Sequence, residues 1–124
     1  MNFDTLKDKT ILIAEDDFNS RLLLQEYLDD YVLELIFAKD GLQVINSVKE
    51  NQQIDLVLMD FKLPQISGVE ASKRIRKFSA IPVIAQTASI LTKETKEQLN
   101  TYFDDYLLKP FNQDDLLRTI CKYL

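Results

Sequence analysis

The chain has 124 residues, 46% of them hydrophobic and 28% charged, with a net charge of −5; that fits one domain, residues 1–124, with room for a real core, and excludes a phosphate-binding nucleic-acid surface, which needs a basic footprint. It has no histidine and one cysteine, Cys121, which excludes any histidine base, ligand or phosphocarrier and any internal disulfide, and fits a reducing compartment. No apolar stretch approaches a membrane span and "MNFDTLKDK" lacks a signal-peptide core, so the expectation is a cytoplasmic domain with no membrane contact.

Strand and helix alternate from the first apolar run onward. Strand 1 is predicted over Thr10–Ala14. Helix 1 covers Asn19–Asp30, with Leu22, Leu23, Tyr27 and Leu28 at helical spacing. Strand 2 is Leu33–Ala38, and "KDG" opens helix 2, Leu42–Glu50, with Val44, Ile45 and Val48 inward. Strand 3 is Leu56–Met59. After "KLPQISG", helix 3 runs over Val69–Lys77. "IPVIAQT" is strand 4, Lys93–Thr101 helix 4 and "DYLL" strand 5. Helix 5 runs from Gln113 to Tyr123. "KRIRK" and "TKETKEQ" read as solvated helix faces, and Cys121 as an inert helix residue. Five such units imply an open parallel sheet with helices on both faces.

In sheets of this kind the ligand site lies beyond the carboxyl ends of the strands. Strand 1 delivers Glu15 and Asp16 there, strand 3 Asp60, strand 4 Thr87 and strand 5 Lys109. Gathered carboxylates repel; two unit charges about 4 Å apart interact by about 4 kcal/mol at an effective dielectric near 20. A hard divalent cation such as Mg²⁺ relieves that repulsion. A carboxylate, a metal, a lysine and a hydroxyl make a phosphoryl-transfer site. The aspartate acts as nucleophile, the cations neutralise the transferring oxygens, and the hydroxyl bonds one of them.

The segments "AEDD", "LVLMDFKLP", "AQTAS" and "YLLKPF" occur in the order and on the strand ends of a response-regulator receiver domain, and from Thr10 to Tyr123 the chain resembles that family. The resemblance implies a flavodoxin-like, doubly wound five-stranded parallel sheet of order 2-1-3-4-5 with five helices. It implies Asp60 as phosphoacceptor, Asp16 as direct ligand of Mg²⁺ (or Mn²⁺), Glu15 as a ligand through water and the Lys62 backbone carbonyl as a further ligand. Thr87 and Tyr106 match the two switch residues, Lys109 the phosphate-pairing lysine, and Pro110 a proline preceded by a cis bond. Of the three acids, Glu15 and Asp16 are taken as the pair because they follow "ILIA" directly. Arg21 then falls on the arginine of the family's "EDNxxNR" version, and Asp17 on its asparagine. Lys62 and Ser89 stand at variable positions that tune phosphoryl loss. Two departures stand out: Ser67 where the family often has aspartate, and Tyr102 where a glycine commonly ends helix 4. Without glycine a left-handed cap is disfavoured, and an irregular or frayed helix end is expected.

Rival classes fail on particular residues. A haloacid-dehalogenase-type phosphatase needs a second aspartate where Lys62 stands. A flavodoxin's phosphate would be repelled by "EDDFNS". A degenerate receiver would lack Asp60 or Lys109. The expectation is therefore a phosphorylation switch acting through its helix 4–strand 5–helix 5 face, not a conventional enzyme. It would take its phosphoryl group from a histidine kinase or a histidine phosphotransfer domain, and a phosphorylation-dependent homodimer is a further partner the resemblance implies. "EDDFNSRLL" and "GVEASKRIR" resemble receivers of hybrid sensor histidine kinases, which would make this the cytoplasmic part of a longer, membrane-bound protein; the alternative is a stand-alone single-domain regulator that acts by protein–protein binding.

Overall fold

The computed structural model describes residues 2–88 and 92–124. A short 3-10 turn, Asp4–Leu6, precedes five strands and five helices in alternation: β1 (Thr10–Ala14), α1 (Phe18–Leu28), β2 (Glu34–Ala38), α2 (Gly41–Glu50), β3 (Leu56–Asp60), α3 (Gly68–Arg76), β4 (Val83–Thr87), α4 (Lys93–Tyr102), β5 (Asp105–Leu108) and α5 (Gln113–Cys121). The strands form one sheet in the order β2-β1-β3-β4-β5, and every pair is parallel. This is the doubly wound, flavodoxin-like arrangement expected from the sequence.

Side-chain alternation along each strand divides the core in two. Leu12, Ala14, Val57, Met59, Val83 and Ala85 point to one face and pack with Val44, Ile45 and Val48 of α2, Val69, Ala71 and Ile75 of α3, and Leu99 of α4. Ile11, Ile13, Leu56, Leu58, Ile84 and Leu107 point to the other. They pack with Leu24 and Leu28 of α1 and Leu116, Leu117 and Ile120 of α5. The sequence reading had no element before β1, yet Leu6 in the 3-10 turn is fully buried in this second layer; burying one such side chain stabilises by about 1.5–3 kcal/mol. Because both faces are covered, β1 and β4 are buried along their whole length and read as apolar runs rather than alternating ones. β2 lies at the edge and exposes Glu34 and Phe37.

Side-chain caps set the starts of α1, α2 and α3 one residue earlier than the hydrophobic pattern alone suggests, while α4 and α5 start at Lys93 and Gln113 as expected. Asp17 accepts a hydrogen bond from the Ser20 N–H at the start of α1, Asp40 from Gln43 at α2, and Ser67 from Glu70 at α3. Ser67 thus supplies a capping oxygen where the family often has aspartate. β4 begins at Val83 rather than Ile81; the preceding Pro82 has no N–H to give a ladder, and the Val83 N–H is taken by Asp104 Oδ2 at 2.7 Å.

Two expectations are corrected. Leu22 and Leu23 do not face inward: they are 48% and 46% exposed, and the buried residues of α1 are Leu24 and Leu28. Leu22 and Leu24 are about 200° apart around a helix axis, so one cannot follow the other into the core, and a helix with apolar residues on several sides does not declare its inner face. The end of α4 is not frayed. The helix continues through Tyr102, Phe103 is extended rather than left-handed, and the Phe103 N–H reaches the Leu99 carbonyl. The Ser72 hydroxyl of α3 donates to the Tyr102 carbonyl, and the Lys73 ammonium lies 4.7 Å from the Tyr102 ring centre. A neighbouring helix supplies the cap that a glycine turn would otherwise make.

Gly68 allows the closest backbone approach beside β3. A Cβ added there would lie 2.3 Å from the Asp60 carbonyl oxygen and 2.9 Å from that of Phe61, both backbone atoms that cannot rotate away. Gly68→Ala is therefore expected to destabilise the protein by about 1–3 kcal/mol, read as a lowered urea midpoint with an unchanged slope. A midpoint within error of the parent would show that α3 can move back freely.

Candidate functional site

The site is built at the carboxyl ends of the strands. The Glu15 N–H continues the β1 ladder to the Ala38 carbonyl at 3.0 Å, which carries Glu15 into the interior, and its side chain is only 1% exposed. Asp60 is the last residue of β3, paired in register with Gln86 of β4. The Phe61 N–H donates to the Gln86 carbonyl and the Lys109 N–H to the Thr87 carbonyl, each at 2.8 Å, so the ends of β3, β4 and β5 are tied together. The Lys109–Pro110 bond is cis.

Glu15, Asp16 and Asp60 each place a carboxylate oxygen within 4.8 Å of the other two. Lys109 enters from β5, its Nζ 3.2 Å from Glu15 Oε1 and 3.5 Å from Asp60 Oδ2. Burial raises the pKa of Glu15 above the ordinary glutamate value, Asp60 raises it further by charge and a hydrogen bond, and Lys109 and the Asp17 N–H pull against them. Burial lowers that of Lys109, but the charges of Asp60 and Glu15 outweigh it and leave the ammonium harder to deprotonate than usual. Three oxygen ligands with residual repulsion fit a hard divalent cation; Glu15, Asp16 and Asp60 could hold one.

The third acid is separated from the other two by its hydrogen bonds. Asp17 caps α1, accepting from the Ser20 N–H at 2.8 Å, and that bond, with the Ser20 hydroxyl, holds its carboxyl below the usual aspartate range. A further contact carries no family-derived role. Arg21 Nη1 donates to the carbonyls of Glu15 at 3.1 Å and Asp16 at 2.9 Å, and its guanidinium lies 5.8 Å from the Phe18 ring centre. It clamps the backbone that carries two of the three acids. The i+5 and i+6 spacing was visible in the sequence, but not the turn that folds it back.

Thr87 is buried at the end of β4. With Asp60, Lys62, Thr92, Thr95 and Lys109 it lines an open crevice of about 410 Å³. The Lys62 N–H lies 3.3 Å from Asp60 Oδ1. Tyr106 is half-buried and pairs in register with Ala85. Two-residue alternation therefore places Tyr106 and Thr87 on the same sheet face, the one covered by α3 and α4. Ser89 lies outside the described residues. Thr92 and Thr95 were not singled out from the sequence; as the first turn of a solvated helix they gave no signal.

Proton and metal compete for the acids, and the raised Glu15 sets where. Divalent-cation affinity, followed by calorimetry, is expected to fall on acidification from a higher pH than an ordinary glutamate would give, and Glu15→Gln to flatten that profile. In the metal-free protein the Glu15 contribution has the complementary sign: an acid whose folded pKa is raised binds its proton more tightly when folded, so that contribution to stability is fully present below the ordinary glutamate value and is lost as pH rises through the raised one. An identical pH profile for parent and Glu15→Gln would remove Glu15 from the site. Arg21 gives a test with opposed signs. If only its charge mattered, Arg21→Ala would tighten Mg²⁺ binding; as a backbone clamp its loss is expected to weaken binding by roughly tenfold, the scale of outer-shell partners. Arg21→Lys, which keeps the charge but has no atom at the position of Nη1, should behave like the alanine variant.

Comparison with known proteins agrees with this geometry. The family model for the response regulator receiver domain matches residues 11–121. The transcriptional regulatory protein YrkP of Bacillus subtilis (strain 168), described as uncharacterized, is 40% identical over 86% of this chain and 45% of its own length. Hybrid signal transduction histidine kinase I of Dictyostelium discoideum is 33% identical over 92% of this chain and 7% of its own. The chain thus spans less than half the length of either relative. Among solved structures, the receiver domain of sensor histidine kinase PA1611 from Pseudomonas aeruginosa PAO1, with a magnesium ion coordinated in its active-site cleft, superposes with a TM-score of 0.84. It is 28% identical, and the match covers 94% of this chain and 97% of that one. The Saccharomyces cerevisiae Ssk1 receiver domain, crystallised with the histidine phosphotransfer protein Ypd1, gives 0.85 at 29% identity over 95% and 90% of the two chains. With a sheet of the expected order, acids and lysine converging at its carboxyl edge, and a family match over nearly all its length, this chain belongs to the response regulator receiver domain family.

Proposed function

We propose that this domain accepts a phosphoryl group on Asp60 from a phosphohistidine and passes the event to a partner surface as a change of shape. The observation that carries this reading is the convergence of Glu15, Asp16 and Asp60 on Lys109 at the ends of β1, β3 and β5. Asp60 is the acid both inside the metal-competent cluster and open to the crevice.

The chemistry follows from those positions. A carboxylate oxygen of Asp60 attacks phosphorus, the phosphorus–nitrogen bond of the phosphohistidine breaks, and the imidazole leaves with the electron pair. Glu15, Asp16, Asp60 and the Lys62 carbonyl are the groups that would hold Mg²⁺ or Mn²⁺, with Glu15 acting through water. The ion supplies neutralisation of the transferring oxygens. Lys109, already within reach of Asp60, follows the new anion, which brings about −1.5 to −2 of charge. The Thr87 hydroxyl donates to one of its oxygens. Tyr106, on the same sheet face, takes up the volume that Thr87 vacates. The result is a two-state bias on the α4–β5–α5 face, and that face is where a partner or a second copy would bind. Hydrolysis resets the switch: water attacks phosphorus, the bond to Asp60 breaks, and phosphate leaves.

For the donor, a histidine kinase or histidine phosphotransfer domain is supported by the Ssk1 receiver's complex with Ypd1. For the setting, the receiver of a hybrid sensor histidine kinase is supported by the kinase receivers among the similar proteins. In that setting the domain works on the cytoplasmic side of the membrane; no helix among its described residues is long and apolar enough to cross one. The 40% identity to YrkP favours a second reading, the receiver of a transcriptional regulator. The two differ in what the switch controls, not in its chemistry.

Incubation with Mg²⁺ and a small-molecule phosphodonor, followed by intact mass, is expected to add one phosphoryl group. Asp60→Asn and removal of the metal should each abolish the gain. A gain that persists in Asp60→Asn would mean that another residue is the nucleophile.

A further inference from the structure

The loop between β3 and α3 carries backbone strain that a glycine would remove. The Ile66 N–H donates to the Pro64 carbonyl at 2.8 Å, and Gln65 between them has a φ of 66°. A bond from residue i+2 back to residue i around a positive φ is a γ-turn of the rare and strained kind. Gln65 is the one residue with positive φ among the described residues, and its side chain is exposed, so its own burial does not compel the conformation. Strain of this sort persists only where the surroundings over-determine it, and here they do. Leu63 and Ile66 on either side pack against the core layer under α2, α3 and α4. The Gly68 N–H closes the loop on the Phe61 carbonyl at 3.1 Å, and from α2 the Gly41 N–H donates to the same Pro64 carbonyl at 3.3 Å. A Cβ on Gly41 would lie 2.0 Å from the Ile66 carbonyl oxygen. The chain has two glycines, neither at positive φ. Both let the start of a helix press on this loop, while the position where glycine would relieve strain is a glutamine.

The strained turn sits close to the site. The Lys62 N–H lies 3.3 Å from Asp60 Oδ1, and Lys109 Nζ lies 3.5 Å from Asp60 Oδ2. The two oxygens of Asp60 are thereby told apart: the loop holds one and the lysine faces the other. We propose that Gly41 and Gln65 are positioning residues for Asp60. α2, bearing on the turn through Gly41, keeps the Lys62 N–H on Oδ1 and so fixes the carboxylate with Oδ2 toward Lys109. The strain makes that placement conditional. A residue with a Cβ prefers negative φ, so the turn holds its shape only while Gly41 bears on it. Once that contact is lost, Gln65 relaxes and Lys62 moves with it. The aim of Asp60 thus depends on the seating of α2. The consequence for a bound cation rests on the metal reading of the site, since the displaced segment takes the Lys62 carbonyl with it. The hold on the Asp60 carboxylate does not rest on that reading.

The test is amide exchange by NMR on the metal-free protein, with Mg²⁺ calorimetry beside it. Gly41→Ala is expected to speed exchange of the Lys62 and Ile66 N–H groups at least tenfold, by a larger factor than that of Leu58, buried in β3, and to weaken Mg²⁺ binding at least fivefold. Gln65→Gly removes the drive to open, because glycine adopts positive φ without penalty. It should slow exchange at Lys62 and Ile66 at least threefold, with no fall in the urea midpoint. In the double variant the glycine lets the turn re-form around the added methyl, so part of the protection lost at Lys62 should return, a departure from additivity that marks the two residues as one unit. A merely structural Gly41 would speed Lys62 and Ile66 only in step with Leu58. That outcome, or exchange in Gln65→Gly no slower than in the parent, overturns the proposal; Gln65→Gly decides it alone if Gly41→Ala does not fold. If the parent binds no Mg²⁺, the metal reading falls and the exchange comparison still decides the positioning. If parent and Gly41→Ala bind Mg²⁺ equally, the link to the cation alone is overturned.

Discussion

Like charges held close together are the constraint on which this structure turns. Glu15, Asp16 and Asp60 face one another at the edge of a sheet whose interior is apolar on both sides. Nothing in the packing of the strands requires that arrangement, and burial makes it worse by raising the cost of ionising Glu15. Lys109 relieves part of the strain from one side, and the rest is left for a cation. The surrounding backbone resists the carboxylates' tendency to separate. Arg21 grips the carbonyls behind two of them, the Asp17 cap fixes the turn into α1, and Gly68 lets α3 press against the carbonyl of the third. A site held in this way is destabilised at rest and ready to bind a cation, which suits the phosphorylation switch proposed above.

Much of this was legible in the sequence because it depends on strand ends. An apolar run that stops at a polar residue announces both the strand and what it delivers; this works cleanly for Glu15 and Asp60, which follow four apolar residues each, and less cleanly for Thr87, which follows Gln86, and Lys109, which follows three. The choice among three adjacent acids rested on their distance from the apolar run and on resemblance; the physical reason, that Asp17 is consumed as a helix cap, needs the helix start. What remained hidden was mostly contact between elements distant in sequence. The end of α4 is secured by Ser72, thirty residues earlier, and no local signal at Tyr102 reveals that. The inner face of α1 was misread because Phe18, Leu22, Leu23, Leu24 and Leu28 leave no single stripe. Gln86 carried a signal that went unused: a polar side chain inside a buried strand is a question wherever it occurs.

The sheet separates two layers by parity. Odd and even residues at the end of β4 face opposite layers, so Thr87 looks toward α3, α4 and Tyr106 while Gln86 looks toward α1 and α5. Among the described residues, Lys109 is the one that lines both the crevice at Asp60 and the apolar pocket beside α1. A disturbance at one layer reaches the other through that side chain or through the backbone bonds that tie β3, β4 and β5 together, and both routes are short.

The partners in the Lys109–Glu15 contact lie 94 residues apart along the chain, and those in the Lys109–Asp60 contact 49. No local segment can assemble the site: it exists only once β1, β3 and β5 have found their places in one sheet. Chemical competence is thereby a readout of completed folding. On the proposed reading of Asp60 as nucleophile, a nascent, misfolded or proteolysed copy would offer only scattered carboxylates, and defective molecules would stay silent instead of drawing phosphoryl groups away from intact ones. The long-range closure that slows the folding of such sheets also acts as a filter on which molecules can carry a signal.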